Sequence, residues 1–509
     1  KEKKESALIM RKQTKIAAVV SAAALLALGA SMTSFAASKG TWMMVDGEWY
    51  CYDKNGDAYT NVFCSSNGKE YYVGDDGQLV RSEWVEYDGN YYFVNSSGAK
   101  ITNDWRLTTP YDDDSADEEW YYFKSNGKKR FNESDSKDIL EKKINGKHYA
   151  FDNRGVMTYE WTAASTNDLT TISNWRYFNS PEDGARSTKG WFKVVAPDAD
   201  GDDNTFKDYG TGSTFAKGDA EDENERWYYA DSDGELYVGQ IKKIKGKYYG
   251  FAPEGNKAGS MLTGLCALTV DKDGNIVKLW DRDMDSDSLD DALKGEGDFK
   301  DFGKSSFDTL YYFGNNEDSD GALKTGNVTI NLDGDSYQFQ FSKTGGAEGK
   351  GRGVNGIDDG KYIYKFGQKI KAGSDDKYIV VYADGDTGST GVNVHKIDTA
   401  TLRSDYSASI GQNKDGDSVN YVGTLGELAS GKLTSNYYLV NTSGAIVKNK
   451  TAAKDGNDWY YYVDEKVIKM YTNNKTLSVD SDQSALTDEV ENSLKDDWDN
   501  SKVFITAED

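Results

Sequence analysis

Along most of the chain the hydrophobic positions fall in short aromatic runs, each followed by two or three polar residues and a glycine. Glu48-Trp49-Tyr50-Cys51-Tyr52-Asp53-Lys54-Asn55-Gly56 is one such stretch, and Glu70-Tyr71-Tyr72-Val73-Gly74-Asp75-Asp76-Gly77 is the next. Asn90-Tyr91-Tyr92-Phe93-Val94-Asn95-Ser96-Ser97-Gly98 and Glu119-Trp120-Tyr121-Tyr122-Phe123-Lys124-Ser125-Asn126-Gly127 follow. The unit returns at 148–155, 175–178, 227–234, 248–251, 311–314, 437–444 and 459–463. Its spacing, from Tyr71 to Tyr91 and from Gly77 to Gly98, is about 20 residues, in the range of solenoid repeats. Aromatic runs favour strands, and alternate side chains face opposite sides. The Asn-Gly or Asp-Gly after a run supplies the positive φ of a tight turn. Asp88-Gly89, Asn145-Gly146 and Lys245-Gly246 precede other runs and mark the connection into a unit. Each unit therefore reads as a two-stranded hairpin. A lone hairpin is not stable in water. The pattern thus predicts an all-β fold, an elongated solenoid of stacked β-hairpin repeats with loop insertions, held by nearest-neighbour contacts.

The repeat sets the expected organisation. An export signal is expected over 1–36, behind an upstream extension at 1–9, with Met10 as the start. Arg11, Lys12 and Lys15 form the charged region, 16–30 the apolar region, and Ser34-Phe35-Ala36 the small-x-small motif, with cleavage after Ala36 or Ala37. Regular repeats occupy 37–262, an insertion or degenerate repeat 263–305, degenerate repeats with insertions 306–480, and an acidic tail 481–509. Within the tail, Leu486, Val490 and Leu494 have helix-like spacing.

Composition agrees with strands rather than helices. Only 37% of the 509 residues are hydrophobic, yet there are 35 Tyr, 19 Phe and 12 Trp, with 52 Gly against 4 Pro. Buried area must come largely from rings. A net charge of −25 argues against nucleic acid and anionic lipid as partners. Cys51 and Cys64 fall on neighbouring hairpins, where a disulfide and two small buried thiols are both open, and Cys266 is left over.

The repeat resembles the choline-binding and cell-wall-binding repeat family, and is similar also to the glucan-binding repeats of streptococcal glucosyltransferases and the C-terminal repeats of clostridial toxins. Ile144-Asn145-Gly146-Lys147-His148-Tyr149-Ala150-Phe151-Asp152-Asn153-Arg154-Gly155-Val156-Met157 is close to the toxin-type unit, and Asp88-Gly89-Asn90-Tyr91-Tyr92-Phe93 to the general one. The resemblance covers most of 40–260, and more weakly 305–375 and 435–470. It implies ligand sites between consecutive hairpins, each walled by a Trp that opens one unit and by aromatics of the next unit's triplet. Carried over, the opening positions are Trp42, Trp84, Trp105, Trp161 and Trp191. The triplet positions are Trp49, Tyr71, Tyr91, Trp120, Trp175 and Trp227. Of the openers, only Trp191 directly follows a glycine, Val62-Phe63 stands where a Trp is expected, and insertions at 108–118 and 196–225 split units.

An aromatic box attracts a quaternary ammonium by about 0.5–2 kcal/mol per ring. A flat ring also suits the apolar face of a sugar, and a tandem array of weak sites gains through avidity. Two acidic clusters, 198–203 and 281–287, have calcium-loop character but lack the EF-hand pattern, and no metal or cofactor is expected. Gly351-Arg352-Gly353-Val354-Asn355-Gly356 matches a dinucleotide fingerprint, but a strand-like segment rather than a helix follows it. With two His residues, His148 and His395, triads and His metal sites have little material. The expected function is a non-catalytic secreted surface protein binding choline-decorated teichoic acid or a related glycan. The alternatives are an extracellular glucan-binding protein, and an adhesive rod whose insertion loops contact host or partner proteins. A polysaccharide hydrolase needs only two carboxylates in a cleft and stands as a third reading.

Overall fold

The computed structural model describes residues 40–472, apart from 132–138, 165–170, 181, 188, 196–224, 254–257, 317, 319, 346–348, 390, 413–417, 423–424, 426–435 and 465–466. The expected export signal at 1–36, the acidic cluster at 198–203 and the C-terminal stretch of expected helical spacing lie outside the described residues. The chain divides into two units: Lys1–Ser187 with Pro197–Ala220, and Thr188–Ala196 with Glu221–Asp509.

In the first unit the aromatic runs form the second strands of separate antiparallel hairpins. Thr41–Val45 pairs with Glu48–Tyr52, Val62–Ser66 with Lys69–Val73, and Glu83–Tyr87 with Asn90–Val94. Asp104–Thr108 pairs with Glu119–Phe123, Leu140–Ile144 with Lys147–Phe151, and Glu160–Ala163 with Trp175–Phe178. Trp42, Trp84 and Trp105 each face the fourth residue of the partner strand, Cys51, Phe93 and Tyr122, whereas Trp161 faces Tyr177, the third.

The two glycine turns have different places from those the sequence suggested. Asp88 (φ 50°) and Gly89 (φ 63°) are the two-residue loop inside a hairpin, not a connection between units. That loop needs positive φ at both central residues, which Asp-Gly tolerates. The glycine after the aromatic run closes a second turn, held by the side chain that begins it. Asn95 Oδ1, for example, accepts the N–H groups of Ser97 and Ala99, each at 3.0 Å.

The residue two places beyond that second glycine is the joint to the preceding hairpin. Leu79 donates its backbone N–H to the Trp49 carbonyl (2.9 Å), Lys100 to Glu70 (2.7 Å), Lys129 to Tyr91 (2.8 Å), Met157 to Trp120 (2.9 Å) and Arg186 to His148 (2.8 Å). The joint side chain then runs beneath the turn glycine of the following unit. A Cβ on Gly98 would lie 2.7 Å from Leu79 Cδ1, and one on Gly184 2.3 Å from Met157 Sδ.

The second unit begins in the same way. Gly190–Val194 pairs with Arg226–Ala230 and Gln240–Ile244 with Lys247–Phe251, and Met261 joins to Trp227 (2.8 Å). Beyond them the sheets widen to three, five, four and five strands. Gly326–Leu332 and Asp335–Phe341, of seven residues each, are long enough to pair along their length and to offer a further edge to Gln368–Lys369. The core here is more aliphatic, with Leu265, Leu310 and Ile330 beside Phe339 and Phe341. Ser286–Lys294 is a helix, capped by Asp285, whose side chain accepts Ser288 N–H at 2.8 Å, and ended by Gly295 at φ 71°. Asp285 of the second acidic cluster is thus a helix cap. Gly351 and Gly353 serve another joint: Gly353 donates to Leu310 (2.8 Å), and a Cβ there would meet the Phe366 carbonyl oxygen at 2.1 Å. Among the described residues no helix is long and apolar enough to cross a membrane.

Candidate functional site

Each joint brings together an opener, the second residue of its partner strand, the third residue of the next unit's aromatic strand, and the joint side chain. Two of these clusters repeat one geometry in different units of the chain. Trp105 lies 4.8 Å from Tyr149, 5.0 Å from Tyr122, and 5.7 Å from Phe151 in a stacked arrangement. Trp191 lies 4.9 Å from Tyr249, 5.1 Å from Tyr229, and 5.7 Å from Phe251, again stacked. Trp120 and Trp227 hold the matching triplet positions, and Trp227 crosses Trp191 at 6.3 Å and 86°. Methionine is the joint residue in both, as Met157 and Met261. All six wall residues, Trp105, Trp120, Tyr149, Trp191, Trp227 and Tyr249, are half-buried. Such a set offers π-faces to a cation and apolar area to a sugar ring or methyl groups. The Trp227 indole N–H donates to Asp318 (3.0 Å), which also holds Lys193 (2.7 Å).

Trp42, Trp49 and Tyr71 form a tighter version, with Leu79 as joint residue and Trp42 at 5.7 Å from Tyr71. Both Trp side chains are buried here, and neither indole N–H has a partner among the described residues. Cys51 and Cys64 pack in the same cluster as buried thiols that are not joined in a disulfide. Its hydrogen bond with Cys64, together with burial, pushes the Cys51 thiol well up.

The cluster around Trp84 is filled from within. Trp84, Tyr91 and Tyr121 stand at the wall positions, with Trp84 4.9 Å from Tyr121. The joint residue is Lys129, 3% exposed. Its ammonium lies 4.7 Å from the Tyr91 and Tyr111 ring centres, 5.5 Å from Phe131, 5.7 Å from Trp84 and 5.9 Å from Tyr121. Nζ also donates to the Arg154 carbonyl at 2.7 Å. Burial pushes this ammonium down to about 8, against the pull of Asp152 and Asp112, so it is charged at neutral pH. Tyr111 comes from the insertion at 108–118. Its ring is tilted against that of Tyr91 with centres 4.0 Å apart, and the hydrogen bond between the two is the main cause of the Tyr91 phenol's rise to about 12.

Other joints are also satisfied internally. Lys100 sits 4.9 Å from Phe63 and 5.4 Å from Tyr92 and pairs with Glu70, which occupies a wall position. Arg186 pairs with Glu141 and meets His148 Nδ1 at 2.8 Å. Trp161 and Trp175 are completely enclosed, at 0% exposure. They fill the core of their hairpin and present no ring to solvent. Sequence reasoning missed Tyr149, Tyr249, Met157, Met261 and Lys129. The fixed offset of two from the second-turn glycine finds Met157, Met261 and Lys129, while Tyr149 and Tyr249 hold the third position of their aromatic strands.

No protein-family description matches the chain. The chain is 30% identical over 188 residues to glucosyltransferase-S of Streptococcus mutans, a match covering 36% of this chain and 11% of the relative. It thus spans about a tenth of the length of that curated relative. Among solved structures it is similar to the modular autolysin LytC of Streptococcus pneumoniae, at 17% identity and TM-score 0.33 over 67% of this chain and 54% of that one. CbpJ of the same organism gives 17% identity and TM-score 0.33 over 80% and 99% of the two chains. The choline-binding domain of CbpL from S. pneumoniae gives 22% and 0.28 over 47% and 98%. Choline-binding proteins and a glucosyltransferase are the classes whose repeats this sequence resembles.

Proposed function

We propose that this chain is a non-catalytic, secreted surface protein that binds cell-wall polymers, choline-decorated teichoic acid or a related glycan, through the cages of Trp105 and Trp191. The observation that carries this reading is the recurrence of one half-exposed aromatic set, with methionine at the joint, in two units of the chain. The tighter Trp42 cluster is a third, less open member. The joint repeated from hairpin to hairpin in the first unit supports a stacked β-hairpin solenoid there. A single cage is a weak site, since each ring contributes about 0.5–2 kcal/mol. Two or more cages on one polymer gain by effective concentration.

The test is retention of residues 37–509 on purified cell walls and on insoluble α-glucan, with free choline as competitor. Wall retention displaced by millimolar choline, and lost in the Trp105→Ala/Trp191→Ala double variant, supports the reading. Glucan retention indifferent to choline moves the function to polysaccharide capture. Retention on neither sinks it in favour of an adhesive rod.

A further inference from the structure

Joint residues fall into two chemical classes. In the first unit Leu79 and Met157 are apolar, whereas Lys100, Lys129 and Arg186 are cationic. The cationic ones do not point into solvent. Lys129 and Arg186 are buried, and the Lys100 side chain is 8% exposed. A lysine at this position is long enough to carry its ammonium from the joint to the ring faces, the place where a bound cation's charge would rest. At Lys129 the arrangement is complete: five rings within 6 Å of the ammonium and one carbonyl accepting its hydrogen bond. The insertion at 108–118 covers it. The Trp84 indole N–H donates to the Thr109 carbonyl (2.8 Å), Tyr111 lies over the ammonium, and Asp112 pairs with Arg154 (3.2 Å), whose carbonyl accepts from Lys129.

We propose that Lys129 is the internal ligand of the Trp84 cage, and that the residue two places after each second-turn glycine sets whether a cage is self-occupied or open to an external quaternary ammonium. Lysine fills the cage with its own cation, while methionine or leucine forms an apolar floor and leaves the ring faces vacant. The inference rests on the reading of the cages as ammonium sites. It goes further by assigning which joints are closed, and it makes a lysine-to-methionine change at a closed joint a gain of function.

The experiment is calorimetric titration of residues 37–509 with choline chloride, comparing wild type, Lys129→Met, and Lys129→Met/Tyr111→Ala, which also removes the cover. Thermal melts establish that each variant folds, and the apolar side chains at Leu79 and Met157 show that this position accepts methionine. The expected result is one additional bound choline per chain in the single or the double variant, with quenching of Trp84 fluorescence. If wild type binds choline and neither variant adds a site, the inference fails while the proposed function stands. If wild type binds none and a variant gains one site, Lys129 stands as the internal ligand of the Trp84 cage, while the rule for methionine joints and the proposed choline function of the open cages fail. Binding by neither wild type nor variants overturns the inference.

Discussion

Asp152 offers a quantitative check on how these turns are held. It begins the second turn of its unit, and its Oδ1 accepts the N–H groups of Arg154 (2.9 Å) and Val156 (2.8 Å). The residue is 2% exposed, and Oδ2 is buried with no hydrogen-bond partner among the described residues. Burial raises the carboxyl from 3.8 to about 6, against the backbone N–H groups and Arg154, which lower it. Between these values the folded chain holds a proton that the unfolded chain has released. Stability therefore falls as pH rises from about 4 to 6. A shift of roughly two units corresponds to about 3 kcal/mol, at about 1.4 kcal/mol per unit. Asn95 and Asn441 hold the same turn position elsewhere, each accepting the same two N–H groups without a charge. Asp152→Asn keeps those bonds and removes the buried charge. The gain is smaller than the full shift, because the Asp152 carboxylate also supports the Lys129 ammonium. The expected outcome is a stabilisation of about 1–2 kcal/mol at pH 7 and close to none at pH 4, read by urea unfolding with tryptophan fluorescence. No gain at pH 7, or an equal gain at both pH values, would refute the reasoning.

Two further predictions follow from backbone conformation and burial. Ser82 enters its hairpin at φ 54°, where an L-residue is strained by about 1–2 kcal/mol; Ser82→Gly is expected to raise stability by about 0.5–1 kcal/mol after the entropy cost of glycine, measured by urea midpoint. Trp161→Ala is expected to cost about 3–5 kcal/mol of stability with choline binding per folded molecule unchanged, because that ring is enclosed core; a selective loss of binding would contradict its placement.

The sequence makes the hairpins legible because one residue type, glycine, and one cluster type, the aromatic triplet, mark every unit. It is less clear about which glycine turns which corner. Both turns carry Asx-Gly pairs, and only the strand register, Tyr87 opposite Asn90, separates them. Entry to a hairpin is obscure for a related reason. The left-handed residue stands two before the opener and is Gly40, Asn61, Ser82, Asn103, Lys189 or Gly239, so a search for Gly-Trp finds only Trp191. The helix at Ser286–Lys294 escaped because its acidic start looks like a solvated loop, although Asp285 and Gly295 are ordinary cap residues. At the sites, the openers and triplets were readable as types, but enclosure was not. Nothing in the sequence separates Trp161, with no exposed surface, from the half-exposed Trp105. Lys129 carries no mark in the sequence, since its route into the rings depends on a loop whose Tyr111 lies 18 residues upstream.

The joint between hairpins is indifferent to how much chain it spans. Thirty residues separate Trp49 from Leu79 and Glu70 from Lys100, while thirty-eight separate Tyr91 from Lys129, yet the same backbone bond forms in each case. The surplus is carried in loops such as that bearing Tyr111, outside the paired strands. Closing a longer loop costs only about 0.6 kcal/mol for each doubling of its length. New sequence can therefore be spliced into these loops without shifting the register of any strand. One splice, the loop at 108–118, already has a task over the Trp84 cage, so lengthening a loop is a route by which such a chain acquires contacts its repeats do not encode.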